Sequence, residues 1–164
     1  MKAITTSLFL LFAGQVYGQV DCSQYVLKPM ISPSTGIQHV RTAQMNKKGI
    51  ITSNLILTFV DNKKKDYYYM WTETYTNYKV DYQTGIRIYF TDGSVYFDPE
   101  AFINQEFDRA VGLFRAVGVL DVNDDLLEQL NTKTIRGFEL GNRIKRDTEQ
   151  EGKIFKNSVQ CLVS

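Results

Sequence analysis

The segment that most constrains the fold is 86–98, IRIYFTDGSVYFD, in which two alternating runs flank an Asp-Gly pair. Alternation of this kind is typical of strands buried on one face, and Asp-Gly between two such runs is a strong hairpin signal. A type I′ turn at Asp92-Gly93 would place Tyr89 opposite Tyr96 and predicts two chemically distinct faces. The apolar face contains Ile86, Ile88, Phe90, Val95 and Phe97, and the polar face contains Arg87, Tyr89, Tyr96 and Asp98.

The region before the hairpin predicts three further strands. They cover residues 37–45, 50–60 and 67–76, with polar turns at 46–49 and 61–66 and a loop at 77–85. In the second of these strands, one face is predicted to carry Ile51, Leu55, Leu57 and Phe59. Consecutive strands joined by short polar links favour an antiparallel meander of five strands.

The region after the hairpin is less regular. Asp98-Pro99-Glu100 predicts a helical turn with proline at its first position. The direct repeat RAVGLF–RAVGVL, residues 109–120, has an even period of six, which presents both copies to the same side of a strand. We therefore expect a strand there, bent at Gly112 and Gly118.

The C-terminal part predicts two helices separated by two strands. Asn123 is expected to cap a helix that ends near Leu130, and strands are expected at 133–140 and 143–146. The capping box TEQE at 148–151 opens a second helix. Its apolar side chains recur at helical spacing, which indicates an amphipathic helix. They are Ile154, Phe155, Val159, Cys161 and Leu162.

Together these elements predict an α+β fold, mainly β, in which an antiparallel β-meander carries the C-terminal amphipathic helix on its sheet. Residues 1–18 are interpreted as a signal peptide, because a basic start precedes a short apolar run and small or compact residues at 16–18. Residues 19–164 are then expected to form a single domain, exported to the periplasm or secreted. The apolar run is too short for a membrane span.

The two cysteines, Cys22 and Cys161, predict a disulfide that joins the two ends of the mature chain. Removing Lys2 with the signal peptide leaves 19 − 1 = 18 basic residues against 18 acidic ones. A balanced charge argues against nucleic acid as the main partner.

No catalytic set is predicted. His39 is the only histidine, so a zinc site with several histidines is excluded, and no motif for an activated serine or a phosphate loop occurs. Asp121, Asn123 and Asp125 imitate the start of a calcium loop, but Leu126 stands where that loop needs glycine. We therefore predict no metal site and no cofactor.

The tyrosines are the distinctive part of the composition. Eight of the ten lie between Tyr67 and Tyr96, together with the only tryptophan. On the strand 67–76, Tyr67, Tyr69, Trp71 and Tyr75 share one face. Such rings either pack within the sheet layers or form an exposed surface for a glycan, a peptide or a lipid head group.

The layout resembles that of small exported bacterial proteins of unknown function, which combine a signal peptide, a β-meander and a C-terminal helix. The resemblance rests on FTDG at 90–93, on 127–138 and on 154–162. It implies an exported location and transfers no catalytic residue.

Two functions follow as hypotheses. The first is an exported, non-catalytic module that binds an envelope or extracellular protein or glycan through an aromatic sheet face, with Arg87, Tyr89, Tyr96 and Asp98 and the four aromatic residues of strand 67–76 as candidates. The second is a small secreted hydrolase with paired carboxylates near the aromatic strands. Its candidate acids are Glu73, Asp98, Glu100 and Glu106.

Overall fold

The structure is a computed structural model that describes residues 21–42, 54–61, 66–146 and 149–164. The predicted signal peptide, the turn at 46–49, Ile51 and the capping residue Thr148 lie outside these ranges. The described strands are β1 (Met30–Ile31), β2 (Gln38–Arg41), β3 (Asn54–Asp61), β4 (Tyr67–Thr76), β5 (Ile86–Phe90), β6 (Val95–Asp98), β7 (Phe102–Asp108), β8 (Leu113–Val122), β9 (Ile135–Leu140) and β10 (Arg143–Arg146). The helices are α1 (Asp124–Thr132) and α2 (Glu149–Val163), with short 3-10 turns at Cys22–Gln24 and Tyr82–Thr84.

The strands form two antiparallel sheets. The larger has the order β1-β2-β3-β4-β8-β7, and the smaller has the order β10-β9-β5-β6. The predicted fold class is confirmed: the structure is mainly antiparallel sheet, with the C-terminal helix packed on it. The meander runs from β1 to β4. It does not continue into β5, because β8 takes the place beside β4 and β5 begins the second sheet.

The hydrophobic core lies between the two sheets. The larger sheet contributes Leu57, Met70 and Leu120, and the smaller contributes Ile88 and Phe138, all fully buried. The two sheets are in close contact at Gly118, where a β-carbon would lie 2.3 Å from Leu140 Cδ1 and 2.4 Å from Ile86 Cδ1. This glycine therefore allows contact between the sheets.

The two helices close one side of this core. Asn123 caps α1 as predicted, because its side chain accepts a hydrogen bond from the backbone N–H of Leu126 at 2.8 Å. Helix α2 packs against α1 and β9 and buries Phe155 and Val159. The apolar spacing of the sequence correctly identified this helix and its inward face.

The hairpin at 86–98 forms, but its predicted register is wrong by one residue. Tyr89 pairs with Val95 instead of Tyr96, and Ile88 pairs with Tyr96. The connection is a three-residue loop: Gly93 N–H donates to Phe90 O at 3.2 Å, and of the loop residues only Gly93 has a positive φ, +88°. A type I′ turn needs positive φ at both central residues. The φ of Asp92 is not positive, which excludes a type I′ turn.

The change in register reverses the two faces of β6. Val95 and Phe97 point away from the core, with 48% and 45% of their surface exposed, whereas Tyr96 packs against it. The turn is held by Asp92, which accepts hydrogen bonds from the Ser94 hydroxyl and backbone N–H and pairs with Lys133. These contacts, the Ser94 hydroxyl first, lower the pKa of Asp92 to about 2.

The interpretation of the repeat at 109–120 is half correct. The second copy lies in β8, but the first lies mainly in the turn between β7 and β8, with Gly112 at φ +70°. Asp98-Pro99-Glu100 forms a single turn, in which Glu100 N–H donates to Asp98 Oδ1 at 2.9 Å. Strand β7, which follows that turn, was not predicted.

The predicted disulfide is confirmed. The sulfur atoms of Cys22 and Cys161 are 2.00 Å apart, and the bond joins the first 3-10 turn to the last turn of α2. The link connects segments separated by 139 residues.

The turn geometry predicts a graded effect at position 93. Gly93→Val should lower the free energy of unfolding by about 1–2 kcal/mol, because left-handed backbone is costly for an L-residue. A β-carbon there meets nothing within 4 Å, so the cost is conformational. Gly93→Asn is the matched control and should cost less, since asparagine tolerates this conformation. Urea denaturation measures both, and equal stability of the two variants would contradict the turn.

Candidate functional site

The predicted aromatic residues of β4 lie together on the outer face of the larger sheet. We call Tyr67, Tyr69, Trp71 and Tyr75 the aromatic face. Tyr67 is 43% exposed, and the other three are half-buried. The alternate residues of β4 point inward, where Met70 and Thr72 are fully buried. Strand alternation therefore separates the aromatic face from the core.

A band of apolar side chains extends this face across the sheet. Trp71 is paired with Ile56 on β3 and with Val119 on β8, and Val119 is paired with Phe102 on β7. Phe102 is 65% exposed. Four neighbouring strands at the usual spacing make this band roughly 14 Å wide. Ile56, Trp71 and Val119 are half-buried, so the band is a partly exposed apolar surface, and such surfaces can serve for binding.

An ion-pair network borders the aromatic face. Arg115, opposite Tyr75 on β8, contacts Glu73 at 2.5 Å and Glu106 at 3.0 Å. The hydrogen bond to Glu73, followed by that to Glu106, raises the pKa of Arg115. The guanidinium group is thus held between two carboxylates at the rim of the surface.

The same network bears on the hydrolase hypothesis. Glycoside hydrolysis by paired acids needs one carboxyl group that carries a proton. Glu73 and Glu106 both form ion pairs with Arg115. Asp98 accepts a backbone hydrogen bond within the turn that contains Glu100. In the described part of the chain, three of these four candidate acids thus take part in the ion-pair network or in the turn before β7.

Arg87 and Tyr89 lie on the outer face of the smaller sheet. The Tyr89 hydroxyl donates a hydrogen bond to Glu139, and Arg87 Nη1 contacts the other oxygen of Glu139 at 3.3 Å. The Arg87 guanidinium lies 4.0 Å from the centre of the Phe97 ring, a cation–π contact. The hydrogen bond to Glu139, followed by burial, raises the pKa of Tyr89. These four side chains hold one another in place.

Because the register differs from the predicted one, Tyr96 and Asp98 lie on the opposite face of the hairpin from Arg87 and Tyr89. Tyr96 is half-buried against the core, and this burial raises its pKa, with smaller effects from Asp98 and Asp125. The eight candidate binding residues therefore occupy three places: the aromatic face, the outer face of the smaller sheet and the inner side of β6.

The remaining sequence candidates have local structural roles. His39 is half-buried in β2, between Met30 on β1 and Val60 on β3. Asn123 caps α1, and Asp125 accepts a hydrogen bond from Gln129 at 2.9 Å. Capping thus explains the acidic segment before α1.

Two residues of this surface, Phe102 and Arg115, were not predicted from the sequence. Phe102 was missed because β7 was not recognised after Pro99. Arg115 was placed on a strand, but its pairing with Glu73 depends on β8 lying beside β4, which adjacency along the chain does not show. The alternation of β7 itself, with Phe102, Asn104 and Glu106 on one side, was the available signal.

Comparison with known proteins gives no assignment: no family model matches, and neither the curated proteins nor the solved structures contain a match. Neither of the two helices in the described part of the chain is long and apolar enough to cross a membrane.

Proposed function

We propose that this protein is an exported, non-catalytic binding module that attaches to a glycan of the cell envelope or its surroundings through the aromatic face. The observation that carries the proposal is the common orientation of Tyr67, Tyr69, Trp71 and Tyr75, all on the outside of the larger sheet. Tyrosine and tryptophan combine a large apolar ring with a polar group and are enriched at binding surfaces. Flat rings on a sheet suit the apolar faces of sugar rings.

The surroundings of the aromatic face support a neutral ligand. Its rim carries Arg115, which pairs with both Glu73 and Glu106. One guanidinium and two carboxylates give this network a net negative charge, which disfavours an anionic ligand. The rigidity of a central β-strand also limits the entropy lost on binding. The alternative ligand is an envelope or extracellular protein, and the experiment below distinguishes it from a glycan.

Export is part of the proposal and is supported by the disulfide. Bonds such as Cys22–Cys161 persist mainly in oxidising compartments. The signal peptide expected from residues 1–18 agrees with this location.

A sedimentation assay tests the glycan proposal. Cellulose, chitin and peptidoglycan are the insoluble probes, and the fraction of protein in the pellet is measured. We expect the wild type to bind at least one probe and the double variant Tyr69→Ala, Trp71→Ala to bind it at least tenfold more weakly, about 1.4 kcal/mol. Circular dichroism on the same samples establishes that the variant is folded.

The matched control removes a similar aromatic area from the other sheet. Tyr89→Ala combined with Phe97→Ala should leave glycan binding unchanged. An equal loss of binding in both double variants would contradict the assignment to the aromatic face. Capture of an envelope protein by the wild type, without binding to any polysaccharide, would favour the protein partner instead.

A further inference from the structure

Two adjoining cavities open beside the tip of the 86–98 hairpin, and Arg136 lines both. The first has a volume of about 250 Å³ and is bordered by Tyr89, Ser94 and Ile144. The second has a volume of about 570 Å³ and is bordered by Thr91, Thr134 and Lys153. The first is largely apolar, whereas the second presents two hydroxyl groups and the ion pair of Lys153 with Glu149. Both lie on the smaller sheet, away from the aromatic face.

A β-bulge places Arg136 between these cavities. Tyr89 pairs with Gly137 and Phe90 pairs with Ile135, so Arg136 is the extra residue on β9. Bulges redirect a side chain out of the regular alternation and are common beside functional sites. Gly137, which lines the first cavity, contributes no side chain that would fill it.

Unlike three neighbouring lysines, Arg136 has no partner among the described residues. Lys133 pairs with Asp92, Lys153 pairs with Glu149, and Lys156 donates to the carbonyl of Thr132. Among the described residues, no side chain or carbonyl forms a hydrogen bond or ion pair with the exposed Arg136. An arginine offers five donors in a planar fork that matches carboxylate and phosphate oxygens.

We propose that Arg136 and its two cavities bind a small organic anion. The oxyanion, which is a carboxylate, sulfate or phosphate group, lies against Arg136 with the hydroxyls of Thr91 and Thr134 as further donors. The apolar part of the same molecule lies in the first cavity, against Ile144 and Tyr89. Bidentate hydrogen bonding by the guanidinium fixes the orientation of the anion.

An NMR titration with three probes tests this site. The probes are phenyl phosphate, inorganic phosphate and phenol, and the reporters are the backbone amides of Gly93, Ser94 and Gly137. We expect saturable shifts with phenyl phosphate, weaker binding of inorganic phosphate and the weakest binding of phenol. Arg136→Ala should reduce the affinity for phenyl phosphate by about tenfold or more while leaving Tm unchanged, because Arg136 has no partner in the described structure.

The matched control is Arg143→Ala, which removes an exposed arginine from the neighbouring strand β10 and should leave the affinity unchanged. An equal loss of affinity in both variants would show that the effect comes from the overall positive charge, and it would contradict a specific site at Arg136. Equal affinity for phenyl phosphate and inorganic phosphate would contradict the claim that the first cavity binds the apolar part of an organic anion. The absence of saturable shifts at the three reporter amides would overturn the proposal as a whole.

Discussion

Breaking the Cys22–Cys161 disulfide is expected to lower the free energy of unfolding by about 5 kcal/mol and Tm by about 10–20 °C. The bond links positions 139 residues apart, so it removes a large amount of conformational freedom from the unfolded chain. It also fastens the last turn of α2 to the first described segment of the chain. Calorimetry with and without a reducing agent measures the change.

The double variant Cys22→Ser, Cys161→Ser provides the control for this prediction. It should show the lower Tm under both conditions, since it has no bond to reduce. A wild-type Tm that changes by less than about 2 °C on reduction would mean that the disulfide contributes little to stability.

The second large effect is expected at Gly152 in α2. Replacing glycine by alanine inside a helix normally stabilises it by about 1 kcal/mol. Here a β-carbon would lie 2.1 Å from the backbone oxygen of Ile135 and 2.9 Å from Thr134 Cγ2. The helix would have to move away from β9, so Gly152→Ala should lower the free energy of unfolding by about 3 kcal/mol.

Gln150→Ala is the matched control, because Gln150 is exposed on the same helix. Its free energy of unfolding should stay within about 0.5 kcal/mol of the wild type. Urea denaturation measures both variants. A Gly152→Ala protein that is more stable than the wild type would contradict the close packing of α2 on β9.

Local patterns in the sequence predicted most elements but not their order in space. Strand β4 was predicted with the bounds that the structure shows, because its ten residues are dense in aromatic side chains and threonine, which favour strands. The partner of β4 could not be predicted in the same way. Its second neighbour, β8, lies more than thirty residues away along the chain, and strand alternation carries no information about which distant strand pairs with it.

The register of the hairpin shows a second limit. Asp-Gly suits a two-residue turn, but it also suits a three-residue loop in which only the glycine has positive φ. The two alternatives differ by one residue and exchange the faces of β6. Phe97 was therefore assigned to the core and Tyr96 to the surface, the reverse of what the structure shows.

The candidate site was predictable only in part. The four residues of the aromatic face were correctly placed on one side of β4, yet alternation alone does not reveal which side meets the core. That choice became clear only when Met70 and Thr72 were found buried between the sheets. The position of Arg136 between the two cavities could not be predicted from the sequence. It depends on a β-bulge, and a bulge is defined only by the pairing of two strands.

The most direct test of the proposed function uses Trp71, the only tryptophan in the sequence. Its fluorescence reports on the aromatic face without any label. A glycan that sediments with the wild type should, in soluble form, shift the emission of Trp71 and protect it from quenching by iodide. Binding of that glycan with no change in either signal would contradict the aromatic face as the binding surface.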